Sequence, residues 1–257
     1  MEARRMTTPS DHATLIRPHL HPRPGDPHYI VLSDLLAYLN RFRTDTTLDL
    51  LDYGAGNSPY RSLFARANYR RADCIEYPGL DYFTDEAGRV PERSESFDLI
   101  LSTQVAEHLS DPVCYLAEAF RLLRPGGRLI LTTHGVWEDH GAPYDFQRWT
   151  AAGLARDLAK AGFTGIETAK ITTGRRAHLF LFLHALAGTG GAATAPGRLF
   201  RRALRRILNT ALPTLHRLAD RRWSQDRVVP LNSTPHSGPP FYLVVAACCF
   251  RPPAPAS

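Results

Sequence analysis

The chain has 257 residues and 44% hydrophobic content, enough for one sizeable α/β domain and too apolar for general disorder. Its net charge of +6 is local: between Gly197 and Arg227 nine arginines face two aspartates, giving +7, so the remainder sums to −1. Four scattered cysteines without a C-x-x-C pair exclude a disulfide framework and a cysteine metal site.

In chain order, residues 1–27 carry five prolines and are expected to be a flexible N-terminal tail. Ile30, Leu32, Leu35, Leu36, Leu39 and Phe42 recur at helical spacing and predict a lead-in helix over 29–42. Strands are predicted at 48–52, 69–75, 97–102 and 128–133, and helices at 112–123 and 151–161. A further strand follows near 166–172. This alternation implies a doubly wound, mostly parallel sheet. Residues 175–240 then break the rhythm as an insert with an apolar stretch (179–187), a small-residue linker and a basic amphipathic helix (199–218) kinked or broken at Pro213. The uninterrupted apolar run 241–250 returns as a last strand of the same domain, 28–257.

The informative stretch is the first strand with its turn, Asp52-Tyr53-Gly54-Ala55-Gly56-Asn57-Ser58-Pro59. Glycines at 54 and 56 let backbone approach a ligand where a Cβ would collide. A dinucleotide fingerprint would put a third glycine at 59, which is proline, and Asp52 disfavours a pyrophosphate while favouring a cationic ligand. Asp73 lies 17 residues after Gly56, where an acid can accept ribose hydroxyls.

Those residues, with Ser96-Phe97-Asp98-Leu99-Ile100-Leu101-Ser102-Thr103-Gln104, Glu107-His108, Leu122-Leu123-Arg124-Pro125-Gly126-Gly127 and Ala161-Gly162-Phe163, resemble the class I S-adenosylmethionine (SAM)-dependent methyltransferases over roughly 28–173 and 241–250. The resemblance implies a Rossmann-like seven-stranded sheet with a reversed last strand, and SAM as cofactor. It implies Asp52, Gly54, Gly56, Asp73, Asp85 and Gln104 as cofactor-binding residues. Asp85 would lie beside the adenine and Gln104 would face the methionine and the sulfonium. Some relatives with Glu-x-x-Glu-His bind a divalent metal; here Gln104 replaces the first acid, so no metal site is expected.

The expected reaction is methyl transfer to a small molecule, at a hydroxyl oxygen, with nitrogen and carbon acceptors as alternatives. An NAD(P)-linked oxidoreductase and a noncatalytic binding protein are the competing classes. A hydroxyl needs its proton removed, and Glu107, His108, His134 and His140, in the loops after strands four and five, are the candidate catalytic groups. No apolar run is long enough to span a bilayer, and the first thirty residues lack the apolar core of a signal peptide, so a cytoplasmic location is expected. The basic helix has three readings: packing on the domain, peripheral contact with an anionic membrane through 198–218, or an acidic partner. No nucleic-acid recognition motif is visible.

Overall fold

Successive residues of the central strands point to opposite faces, and here both faces are buried. The computed structural model describes residues 16–85, 87–141, 143–188, 195–231 and 238–254, with backbone alone at 187–188, 195–205 and 209. In β1 (Asp49–Tyr53), Leu50 enters one core and Leu51 the other. β2 (Asn68–Asp73), β3 (Tyr82–Phe83), β4 (Phe97–Thr103) and β5 (Leu123–His134) continue the parallel part of the sheet. β6 (Thr164–Thr173), β7 (Val228–Leu231) and β8 (Tyr242–Phe250) complete the order β3-β2-β1-β4-β5-β8-β6-β7. β8 runs antiparallel between β5 and β6, so the reversed last strand is present. Eight strands replace the expected seven. The addition is β7, which pairs antiparallel on the free edge of β6 and carries Pro230, a residue tolerated at a sheet edge.

Helices α1 (Tyr29–Leu39), α2 (Pro112–Leu122), α3 (Ala151–Lys160), α4 (Gly174–Gly188) and α5 (Ala195–Arg222) cover the sheet. Leu116, Leu122, Leu154 and Leu158 of α2 and α3 fill one core, and Ile30, Leu35, Leu39 and Phe180 of α1 and α4 the other. The helix starts obey local chemistry. The Asp111 carboxylate accepts from the main-chain N–H groups of Val113 and Cys114, with Pro112 in the first turn, and Thr150 accepts from Gly153. Arg124-Pro125-Gly126-Gly127, ahead of the strand predicted at 128–133, lies inside β5, where Gly126 and Gly127 exchange main-chain hydrogen bonds with Arg251.

Two expectations need correction. Residues 16–27 are not simply tail: 16–20 are helical, the Gly25 N–H donates to His216 Nδ1, and Arg17 pairs with Asp26. Residues 1–15 lie outside the described ones. Pro213 does not break α5, which is helical on both sides of it, and the Pro213 ring packs against Gly25. The side chains of Arg198, Arg201, Arg202 and Arg205 are outside the described residues. Among those described, Arg206, Arg217, Arg221 and Arg222 are exposed, and so are Ile207 and Leu218.

A buried charge network holds α4 and α5 onto the domain. Arg176 of α4 is fully buried and bidentate on Asp34 of α1, at 2.7 and 2.9 Å, while a third nitrogen reaches Asp220 of α5 at 3.0 Å. Thr172 donates to Asp34, and Tyr29 and Arg227 donate to Asp220. Removing one member strands the other charge in the core. Arg176→Met should therefore cost about 3–5 kcal/mol in urea unfolding, and adding Asp34→Leu should recover most of it; an unchanged midpoint for the single variant would contradict this.

Candidate active site

The carboxyl ends of parallel strands β1, β2, β4 and β5 meet at one edge of the sheet, and a cavity of about 480 Å³ opens there, a size suited to a small ligand. Its floor is the turn after β1. Gly54 has φ +79°, and a Cβ there would stand 2.4 Å from a Val105 methyl, so this glycine serves the packing of two loops against each other. Gly56, at φ +47°, lines the cavity, and a Cβ there would meet nothing within 4 Å. It is Gly56 that leaves room for a ligand.

Asp73, at the end of β2, closes the turn from behind, accepting from the N–H of Gly56 at 2.8 Å and of Ile75 at 2.9 Å. Arg71, unremarked in the sequence reading, is buried and clamps the same turn: it donates to Ser58 Oγ and to the Gly56 and Pro78 carbonyls. Nothing in its neighbours along the chain marks it, because its partners lie one strand away and beyond the next turn.

Asp52 lies under the cavity instead of lining it. It is 3% exposed and accepts from Tyr69 Oη at 2.6 Å. Burial pushes its carboxyl up to about 7, against the hydrogen bonds of Tyr69 and Ser58 and the charge of Arg71. The full negative charge inferred from sequence is thus absent at neutral pH. Asp85 is not brought to the cavity. Its carboxylate turns back to accept from the N–H groups of Ala87 and Arg89 at 3.0 and 2.8 Å, a local competition that short acidic side chains readily win in loops. It borders a separate surface depression with Phe83, Arg89 and Arg121.

Gln104, just past β4, does reach the cavity wall. It sits at φ +55°, uncommon for a residue with a side chain. Its amide nitrogen donates to Thr132 Oγ1 at 3.0 Å, leaving the buried Oε1 without a partner. An orphaned acceptor beside a cavity, a turn with space above Gly56 and the fixed Asp73 carboxylate suit a polar ligand carrying N–H or O–H donors.

The second wall comes from the end of β5. His134 and Trp137 line the cavity, their rings stacked at 4.7 Å. Trp137 stacks in turn on Phe180, and Phe180 on His184, so α4 supports the wall from outside. The opposite side is formed by Ile16, His19, His28 and the α1 residues Val31, Leu32 and Leu35. Directly behind His134 lies Glu107, fully buried, with Oε2 accepting from Thr133 Oγ1 at 2.8 Å and Oε1 3.3 Å from His134 Nε2. Burial raises the Glu107 pKa, and burial first, then the neighbouring His140, lowers His134 to about 3. Burial thus works against the charged form of both groups. His140 faces His134 edge-on at 4.8 Å and also contacts the His108 ring. His108 spends Nδ1 on the Tyr144 carbonyl at 2.6 Å. Of the four candidate catalytic residues, the structure brings Glu107, His134 and His140 together, while His108 is committed to holding the 141–146 loop.

A family model described as a methyltransferase domain matches residues 51–131, from β1 through most of β5. Over that span the chain is similar to the class I SAM-dependent methyltransferases. A ubiquinone biosynthesis O-methyltransferase of Cereibacter sphaeroides is 37% identical to this chain over 101 residues, covering 34% of this chain and 41% of the relative. One of Parvibaculum lavamentivorans is 38% identical over 55 residues, covering 21% and 22%. The chain thus spans less than half the length of these curated relatives. Among solved structures, a SAM-dependent methyltransferase of Thermotoga maritima superposes with a TM-score of 0.54 over 94% of both chains at 14% identity, a likeness of fold.

Because Asp52 takes a proton in the folded state between its ordinary 3.8 and about 7, its contribution to stability falls as pH rises through that window. Asp52→Asn keeps an acceptor for Tyr69 and cannot ionise. Wild type should lose up to about 1.4 kcal/mol per pH unit that this variant retains, measured by chemical unfolding at successive pH values; parallel pH profiles would refute the assignment.

Proposed function

We propose that this protein transfers a methyl group from SAM to a hydroxyl oxygen of a small molecule. The observation that carries the acceptor type is the buried Glu107 carboxyl 3.3 Å from His134 on the cavity wall. A neutral amine reacts through a free lone pair and loses its proton afterwards, whereas a hydroxyl is a weak nucleophile unless its proton is removed as it reacts. The names of the partial relatives, O-methyltransferases, agree with that reading.

When bound, SAM supplies a sulfonium methyl whose C–S bond breaks, leaving its electron pair on sulfur, as the acceptor oxygen forms the new O–C bond. Gly56 leaves the turn open to the cofactor, Asp73 supplies a carboxylate at the turn's far side, and Gln104 Oε1 is an acceptor between the cofactor loop and the second wall. His134 and Trp137 then shape the acceptor's side, and Arg148, bidentate on Asp145, ties the loop that carries them to the Glu138 carbonyl. Alignment of donor and acceptor supplies most of the acceleration, so these contacts position the reactants, and Glu107 with His134 deals with the hydroxyl. The competing NAD(P) reading fits less well: β8 is antiparallel between β5 and β6, unlike the parallel order of dinucleotide folds, and Pro59 stands where the third glycine would be. Among the described residues no helix is long and apolar enough to cross a membrane.

Thermal shift should show stabilisation by SAM and S-adenosylhomocysteine and none by NAD; the reverse order would replace the reading. Gly56→Arg, which fills the open side of the turn, should abolish S-adenosylhomocysteine binding. Glu107→Gln should leave that binding intact and lower kcat on hydroxyl acceptors by about 100-fold or more; undiminished kcat would remove the hydroxyl assignment.

A further inference from the structure

Glu107 lies 27 and 33 residues before His134 and His140, yet one potential ligand atom from each lies within 4.8 Å of the others. The Glu107 Oε1 to His134 Nε2 distance is 3.3 Å, which matches the spacing of about 3.3–3.4 Å for neighbouring ligands held tetrahedrally at about 2.0–2.1 Å from zinc. The Glu107 carboxyl faces this space with an atom that has no partner, and the far ring nitrogen of His134 also lacks one. Glu107 Oε1 and His134 Nδ1 are both buried and have no hydrogen-bond partner, a costly arrangement for groups of this polarity.

We infer that Glu107, His134 and His140 bind a single divalent transition-metal ion of the zinc type at the acceptor end of the cavity. Two imidazoles and one carboxylate form the donor set of catalytic zinc sites, which keep a further position open. Magnesium and calcium prefer all-oxygen shells and suit it poorly. The surroundings are those of ligands held in place. Thr133 Oγ1 donates to Glu107 Oε2, which fixes the carboxylate plane. The main chain of Glu107 is pinned by the N–H groups of Phe146 and Gln147 on its carbonyl. His140 directs Nδ1 toward the Glu138 carbonyl and Asp145, at 3.3 and 3.5 Å, leaving Nε2 for the ion. The nearby Arg148 cation is neutralised by its two bonds to Asp145, 2.7 and 2.8 Å long. His108 is outside the set, since its Nδ1 is taken by the Tyr144 carbonyl.

The catalytic meaning of the site rests on the methyl-transfer reading. An acceptor hydroxyl at the open position would have its pKa lowered by the ion, and its proton would leave to water before the oxygen lone pair takes the methyl group.

The test uses the full chain after chelator treatment, titrated with Co²⁺ while its visible absorption is followed, and with Zn²⁺ by calorimetry. One equivalent should bind, with the intense d–d bands of a four- or five-coordinate site. His140→Ala, at a partly exposed ring that the core does not need, should weaken Co²⁺ by about 100-fold or more, and Thr133→Val by about 10–100-fold. His108→Ala should retain tight binding. Glu107→Gln is the second ligand variant, and circular dichroism verifies the fold of each. Absent binding, or losses equal for His108→Ala and His140→Ala, would overturn the site. S-adenosylhomocysteine calorimetry on the same samples separates the two readings. Cofactor bound without metal rejects the ion and leaves methyl transfer standing, whereas metal bound without cofactor keeps the ion site and rejects methyl transfer.

Discussion

Burial of the Arg176 guanidinium against Asp34 fixes where three helices sit relative to the sheet. A desolvated cation and anion tolerate little displacement, because each is stranded if the other moves. Asp34 belongs to α1, Arg176 to α4, and Asp220, the third partner, to α5. The cavity inherits its shape from that arrangement. α1 supplies Val31, Leu32 and Leu35 to one side, and α4 supplies Phe180 to the back of Trp137 on the other.

The cofactor side depends on a different device. There the turn after β1 is held from below by neutral or compensated groups: Asp52 with Tyr69, Asp73 with the Gly56 N–H, and Arg71 on carbonyls and a hydroxyl. The turn needs no ligand to take its form, so a ligand meets a surface already shaped. The acceptor side is likewise ordered by protein contacts, but it leaves polar atoms of Glu107 and His134 unpartnered, and chemistry at such a place has groups to spare.

Much of the sheet was legible in the sequence because hydrophobic alternation and glycine punctuation are local signals. Leu48 to Gly56, the run around Phe97 and the apolar tract before Phe250 could each be read where they stand. What escaped depended on partners distant in sequence. Arg71 looks like one half of an ordinary Arg-Arg pair until Ser58 and Gly56 are folded over it. Asp85 lay at a reasonable distance for a ligand contact, and lost to its own turn. His134 and His140 were visible as polar groups after a strand, but not that Glu107 would lie between two loops to meet them. Residues 16–27, whose prolines predict a tail, reach the cavity because Ile16 and His19 find apolar and aromatic neighbours that composition does not show.

Thr173 at the end of β6 and Tyr242 at the start of β8 are register partners, and the Gly174 N–H donates to the Phe241 carbonyl. The chain therefore departs from and rejoins the central strands at one point, adding only the edge strand β7 to the sheet in between. The entropy of closing such an excursion grows only slowly with its length. The segment is in effect a cassette: its length can vary without altering β1 to β6 or β8, provided it keeps Arg176 for Asp34 and the Phe180 that backs Trp137. The support behind Trp137 and the turn after β1 are thus built from separate stretches of the chain.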